Sequence, residues 1–213
     1  MPKTDLLIWD WNGTLLDDVD LCLETLNLLL RRHGYAQQYD LTAYKRMFRF
    51  PIQDYYRDAG FDFDCHPYED LAVEFMDHYI PHSTAGPLTP DARAVLDAVH
   101  DLGLPQVILS ASPVDVLHDQ TAQRGVSGCF EAMLGLSDIY AASKVELGKQ
   151  FLAQAGFDPQ AAVLVGDSVH DFEVAQAMGT RCILCCAGHQ CRQALEVTGA
   201  VVIDRLSQLP SLL

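Results

Sequence analysis

Four short stretches of this chain carry residues whose types and spacing belong together. Asp10-Trp11-Asn12-Gly13-Thr14 follows the apolar run Leu6-Leu7-Ile8-Trp9. Ser110 and Ser112 follow Val107-Ile108-Leu109, and Asp167 follows Ala162-Val163-Leu164-Val165-Gly166, with Asp171 one helical turn further on. Lys144 opens a helical pattern between the last two. A short apolar run bounded by turn residues reads as a buried parallel strand. In parallel sheets ligands bind beyond the carboxyl ends of the strands. Three separate strands therefore deliver Asp10, Ser110 and Asp167 to one edge. Two carboxylates brought together repel unless a cation sits between them. Hard oxygen donors without a nearby His/Cys set point to Mg²⁺. Lys144 opposes the dipole of its own helix, so it lies either in solvent or beside an anion shared with the carboxylates. Ser110 and the backbone N–H groups at the start of the helix after Pro113 supply neutral donors to the same anion. Two of these residues also have a plainer reading. Asp10 could cap the turn that follows it, and Ser168-Val169-His170-Asp171 fits a helix capping box as well as a metal role.

The elements that must position this set can be read from periodicity. A helical stripe runs from Val19 through Cys22, Leu23, Leu26, Leu29 and Leu30 and stops near Gly34. Residues 35–86 hold short helical patterns, the clearest from Tyr68 to Tyr79, opened by Pro67 and closed by Pro81. Thr89 is expected as an N-cap with Pro90 at the first helical position and Gly103 as the stop. Capping boxes are expected at Ser112–Asp115 and Ser143–Glu146. A weak strand falls near Ala132–Leu136, and further strands at Cys182–Cys186 and Ala200–Ile203. Strands alternating with helices predict an α/β fold: a doubly wound, Rossmann-like parallel sheet. An inserted small α-helical cap interrupts it, giving a core of residues 1–16 and 87–213 and a cap of 17–86.

Composition bounds the partners. Asp+Glu is 29 against Lys+Arg 14, a formal charge of −15. Such a chain repels phosphate backbones and anionic lipid, so neither nucleic acid nor a membrane surface is an expected partner. The seven cysteines are odd in number and irregularly spaced, which suits reduced thiols and a cytoplasmic protein. The apolar run near the N-terminus is too short for a signal peptide or a span. A monomer or homodimer acting on a small molecule is the expectation.

Asp10-Trp11-Asn12-Gly13-Thr14-Leu15, Ser110, Lys144 and Gly166-Asp167-Ser168-Val169-His170-Asp171 resemble the four ordered motifs of the haloacid dehalogenase superfamily. The helical insert after the first motif resembles the cap of its phosphoglycolate phosphatase-like branch. The resemblance implies a phosphatase for a small phosphorylated metabolite, with Asp10 as a nucleophile that forms an aspartyl-phosphate. It implies Mg²⁺ held by Asp10, the backbone carbonyl of Asn12 and Asp167, with Asp171 in support. Ser110, Ala111 and Lys144 would hold the phosphoryl oxygens, Lys144 would offset charge in transit, and Thr14 would steady the loop. The cap would close over the site and choose the substrate.

Position 12 departs from the family pattern, which carries a second Asp there as general acid and base. An amide does neither job, and that help is worth roughly 10²–10⁴ in rate. Three readings follow: a substrate with a good leaving group, a proton supplied by another residue such as His170, or a site that binds phosphate without turnover. The Asp-Trp-X-Gly-Thr pattern also resembles phosphonoacetaldehyde hydrolase, which needs a cap lysine; Lys45 is the only lysine in this cap. Lys45, Arg46, Arg49 and Arg57 make the cap locally basic, and Arg49 is expected to contact an anionic substrate. The Cys182, Cys185, Cys186, His189 and Cys191 group is read as strand thiols rather than zinc ligands, since Cys182 and Cys185 face opposite ways on a strand. Trp9 is expected in the core and Trp11 at the pocket.

Overall fold

The computed structural model describes residues 3–136 and 143–213. Its centre is a six-stranded sheet of β1 (Leu6–Trp9), β2 (Gln106–Pro113), β3 (Ala132–Leu136), β4 (Ala162–Gly166), β5 (Arg181–Cys185) and β6 (Val201–Ile203). Every strand pairing is parallel, in the order β3-β2-β1-β4-β5-β6. The first strand lies in the middle because both of its faces are covered: Leu6, Leu7, Ile8 and Trp9 are all buried. The strand order reverses at the β1–β4 junction, where open α/β sheets form their ligand crevice. Trp9 is level with Ile108 on one side and Val165 on the other. The residues after them therefore leave the sheet at one height.

Helices cover both faces. Leu7, Trp9, Ile108, Val163 and Val165 pack on α5 (Ala92–Asp101) and on the C-terminal turns at 206–212. Leu6, Ile8, Val107, Leu109 and Leu164 pack on α7 (Lys144–Ala155) and α8 (Val169–Met178). This alternation along each strand is the period-2 geometry of a pleated chain. Cys182 lies against the second face and Cys185 in the first, so the two thiols do point apart. Among the described residues no helix is long and apolar enough to cross a membrane.

Between β1 and α5 the chain forms a helical insert of α1 (Val19–Arg32), α2 (Leu41–Met47), α3 (Ile52–Asp58) and α4 (Tyr68–Ser83). The insert has a hydrophobic cluster of its own, with Leu26, Leu29 and Leu30 of α1 against Tyr44, Tyr55, Tyr56 and Leu71.

Several local expectations need correction. Thr89 does not cap α5; the helix starts after Asp91, a left-handed residue. The Thr89 N–H donates to the Leu15 carbonyl at 2.9 Å and its own carbonyl accepts from Ala92, so its backbone is held in the connection instead. Pro81 does not close α4, which runs on to Ser83; a proline in the last turn loses a single ladder bond and keeps a helical φ. Ser112 opens no capping box, because β2 extends through Pro113 and α6 (Val114–Gln123) starts only after it. Ser143 accepts from the Glu146 N–H at 3.3 Å and so makes one half of its box, while Ser168 and Asp171 make both halves of theirs.

Candidate functional site

Asp10 is the first residue past β1, and its N–H still donates to the Val165 carbonyl at 2.8 Å. That bond fixes the carboxylate at the sheet edge. Asp10 is 8% exposed and Lys144 7%. The Lys144 ammonium donates to Asp10 Oδ1 at 2.6 Å and to Asp171 Oδ1 at 2.7 Å. Thr14 Oγ1 bridges Asp10 Oδ2 at 3.3 Å and Asp167 Oδ1 at 3.2 Å. Asp171 makes the capping box and also faces the buried lysine. Its Oδ2 accepts from the Ser168 hydroxyl and N–H, as a capping residue does, while its Oδ1 faces Lys144. Lys144 is therefore not a solvated lysine.

The electrostatics follow from this crowding. Burial raises the Asp10 carboxyl to about 8, with the Asp171 charge adding and Lys144 opposing. Burial likewise raises Asp167 to about 6. Burial resists the charge on Lys144, but Asp10 and Asp171 outweigh it and raise its pKa. Asp171 is lowered despite its burial, chiefly by Lys144.

Oxygens of Asp10, Asp167 and Asp171 converge closely enough to share one metal ion. Three carboxylates face one ammonium, so the buried cluster holds two formal negative charges in excess. A divalent cation with hard-oxygen preference balances it, and Mg²⁺ fits that donor set. The neighbouring backbone is built close around Asp167. Gly13 has φ +72°, and a Cβ there or at Gly188 would overlap the Asp167 carboxylate.

Ser110 is buried within β2, and its hydroxyl accepts from the Ser112 N–H at 3.0 Å. Ala111 lines the same cavity. Asn12 is held on both sides. Its Nδ2 donates to Asp18 Oδ2 at 2.9 Å and to the Tyr79 hydroxyl at 2.7 Å, and its Oδ1 accepts from Ser112 Oγ at 2.7 Å.

Four residues of this site were not singled out from the sequence for it: Asp18, Tyr44, Tyr79 and His189. The Asp18 carboxylate accepts from the Gly13 N–H at 2.8 Å and the Tyr79 hydroxyl at 2.6 Å, and pairs with His189 Nε2 at 3.3 Å. His189 Nδ1 lies 2.8 Å from the Tyr44 hydroxyl, and the His189 N–H donates to Asp167 Oδ2. Burial opposes a charge on His189, but Asp18 outweighs it and raises the imidazole to about 9. His189 lies four residues past the end of β5, in the loop at the same sheet edge as Asp10 and Asp167. Its place in a cysteine-rich run masked that position.

The two insert cations are not brought to the site. Arg49 pairs with Asp58 at 2.7 Å and is 50% exposed. Lys45 Nζ donates to the Ala187 carbonyl at 2.9 Å. Neither lines the cavity, and Arg49, expected from the sequence to meet an anionic substrate, is paired with Asp58 instead. Trp11 is likewise core rather than pocket, fully buried with Nε1 donating to Gln120 at 2.6 Å. His170 lines the cavity and stacks on Phe50 with ring centroids 4.4 Å apart.

A parallel sheet with its strand reversal at Asp10 and Asp167, bearing a carboxylate cluster and a buried lysine there, is a doubly wound α/β fold with a charged crevice at its switch point. The sequence model of the haloacid dehalogenase-like hydrolase family matches residues 7–185, and the chain belongs to that family. Its fold is similar to that of a haloacid dehalogenase-like hydrolase from Streptococcus pneumoniae, with TM-score 0.84, 15% identity, and 100% of this chain and 99% of that one covered. A haloacid dehalogenase-like protein from Agrobacterium tumefaciens gives TM-score 0.82 at 22% identity, over 98% of this chain and 97% of that one. A predicted phosphoglycolate phosphatase from Haemophilus somnus gives 0.77 at 16% identity, over 100% and 99%. No curated protein matches the chain.

Proposed function

We propose that this protein is a Mg²⁺-dependent phosphatase that hydrolyses a small phosphorylated metabolite through an aspartyl-phosphate on Asp10. The observation that carries the reading is the convergence of Asp10, Lys144, Asp167 and Asp171, all buried, at the strand reversal and beside Ser110. Asp10, Asp167 and the Asn12 carbonyl would hold the metal, with Asp171 in support. When bound, Mg²⁺ neutralises charge on the carboxylates and the phosphoryl group.

The chain's own groups do the rest. Asp10 supplies the attacking oxygen, fixed in place by its backbone bond to Val165. Lys144 and the Ser110 hydroxyl hold phosphoryl oxygens, with Ala111 beside them, and Lys144 offsets the charge moved in transfer. Thr14 keeps the two metal-facing carboxylates in register. The insert covers the site. It is tied down by His189 to Tyr44, by Gln190 Nε2 to the Phe48 carbonyl at 2.7 Å, and by Lys45 to Ala187. Asn12 cannot pass a proton, so the leaving group departs without a general acid at that position. The carbon–phosphorus cleavage alternative needs a lysine at the substrate, and Lys45 lies outside the cavity.

Phosphate release with Mg²⁺, with EDTA, and with Asp10→Asn as the blank tests the reading. Metal-dependent release that vanishes in the blank supports it. Saturable phosphate binding with no release from any ester replaces it with a binding module.

A further inference from the structure

Beyond the phosphoryl end, the cavity has a definite chemical character. It measures about 340 Å³, at the small end of the roughly 300–1,000 Å³ typical of ligand sites. Its wall away from Asp10 is built by the insert: Phe48, Phe50, Tyr55, Tyr56, Phe75 and Met76 among others. These rings already pack edge-on and stacked, Phe75 on Tyr79 at 6.0 Å and Phe48 on His189 at 4.7 Å. Such a wall presents π-faces and edges to whatever lies against it.

Among the described residues the same wall offers a second anion no free lysine or arginine, only neutral donors such as the unpartnered Tyr55 hydroxyl. Lys144 is the one Lys or Arg among the lining residues described, and Asp10 and Asp171 already hold its ammonium. His189 is held by Asp18, and His170 lies 3.5 Å from Glu173. The basic residues of the insert point elsewhere: Arg49 pairs with Asp58 and Arg57 with Asp54. Residues 137–142, outside the described set, contain no Lys, Arg or His. A carboxylate or a second phosphate placed among these rings would lose its water and meet the Asp18 carboxylate. Burying an unpaired charge is strongly disfavoured.

Asn12 gives an independent constraint. Without an acid there, the departing oxygen must leave as an anion. A phenol ionises near pH 10, whereas water needs about 15.7 and aliphatic alcohols resemble water. The aromatic wall and the missing acid agree on one class of ester.

We infer that the substrate is an aryl phosphate monoester, an uncharged aromatic group joined to phosphate through a phenolic oxygen. This rests on the phosphatase reading of Asp10. The Asp10 carboxylate oxygen bonds to phosphorus as the P–O(aryl) bond breaks. The phenolate leaves with the bonding pair and takes its proton from water. A second water then attacks phosphorus, its proton passing to a phosphoryl oxygen as the P–O(Asp10) bond breaks, and dihydrogen phosphate is released with Asp10 restored as a carboxylate.

The test is kcat/KM, with Mg²⁺, for 4-methylphenyl phosphate, 4-carboxyphenyl phosphate, cyclohexylmethyl phosphate, phosphoglycolate and acetyl phosphate, again with Asp10→Asn as the blank. The expected result is that 4-methylphenyl phosphate leads, with the carboxylated ester about tenfold or more below it. Cyclohexylmethyl phosphate should show a much lower kcat/KM. A higher kcat/KM for phosphoglycolate or acetyl phosphate overturns the substrate class and leaves the role of Asp10 standing. Equal kcat/KM for the cyclohexylmethyl and aryl esters overturns the phenolic leaving group, since kcat/KM reports the step in which that group departs. No release from any compound overturns both readings. Met76 is 36% exposed at the cavity, so Met76→Lys is compatible with folding. It should raise the carboxylated ester relative to the methylated one by about tenfold, and an unchanged ratio overturns the uncharged-wall argument.

Discussion

The side-chain amide of Asn12 donates to Asp18 Oδ2 across 2.9 Å, and the Tyr79 hydroxyl reaches the same oxygen at 2.6 Å. An Asp at position 12 would set two carboxylates against each other there. The amide thus fits its partner, and position 12 and Asp18 must be read together. Asn12→Asp is expected to lower stability by about 1–3 kcal/mol in urea unfolding. Asp18→Asn in the same chain should cancel part of that loss, with a coupling of roughly 0.5–3 kcal/mol in the double-mutant cycle. Additive losses would show that the two side chains do not act on each other.

His189 makes stability depend on pH in a direction that can be worked out. Beside Asp18, its imidazole is raised from an ordinary 6.5 to about 9. The folded chain therefore binds this proton more tightly than the unfolded chain does. Its contribution is complete below about 6.5 and fades as pH rises through about 9. His189→Gln should lack this fade. The stability difference between wild type and variant, measured by urea unfolding in EDTA, should shrink across that window. A constant difference would place a neutral imidazole at this position.

Much of this site was legible because one rule covers it. Short apolar runs mark buried parallel strands, and polar residues just past them mark the ligand edge. Asp10, Ser110 and Asp167 were found this way, and the structure sets them on neighbouring strands. Asp18, Tyr44 and Tyr79 were not, because nothing local distinguishes them. Asp17-Asp18-Val19-Asp20 reads as an acidic helix start, and Tyr79 as one position of a helical stripe. Their role comes from contacts across the molecule, such as Asp18 with His189, which no periodicity encodes. A basic cluster suggests an anion, and the sequence does not show that Asp58 on the same insert pairs with Arg49.

Arg49 lies on the surface in a pair with Asp58, and exposed pairs of that kind contribute little. Arg49→Ala is accordingly expected to leave KM for the preferred ester and the melting temperature nearly unchanged. A severalfold rise in KM at constant kcat would show that the arginine swings from Asp58 to the substrate.

The carboxylate cluster gives the metal a pH-dependent effect on the fold. Asp10 and Asp167 are raised to about 8 and about 6 without a metal. Both folded values lie above the ordinary 3.8, so the metal-free fold is penalised increasingly as pH rises through them and the charges accumulate. Mg²⁺ needs those carboxylates ionised, so it competes with protons at low pH and relieves the repulsion at high pH. Mg²⁺ at about 100 times its Kd stabilises the fold by roughly 2.7 kcal/mol. The Mg²⁺-induced rise in melting temperature should be larger near pH 8 than near pH 6 at one fixed total concentration, and Asp167→Asn should weaken it at both. Mg²⁺ is the probe in each case, and no substrate is required, so the outcome stands apart from turnover. An equal shift at the two pH values would mean that the carboxylates are already ionised in the metal-free fold, with Lys144 alone holding them together.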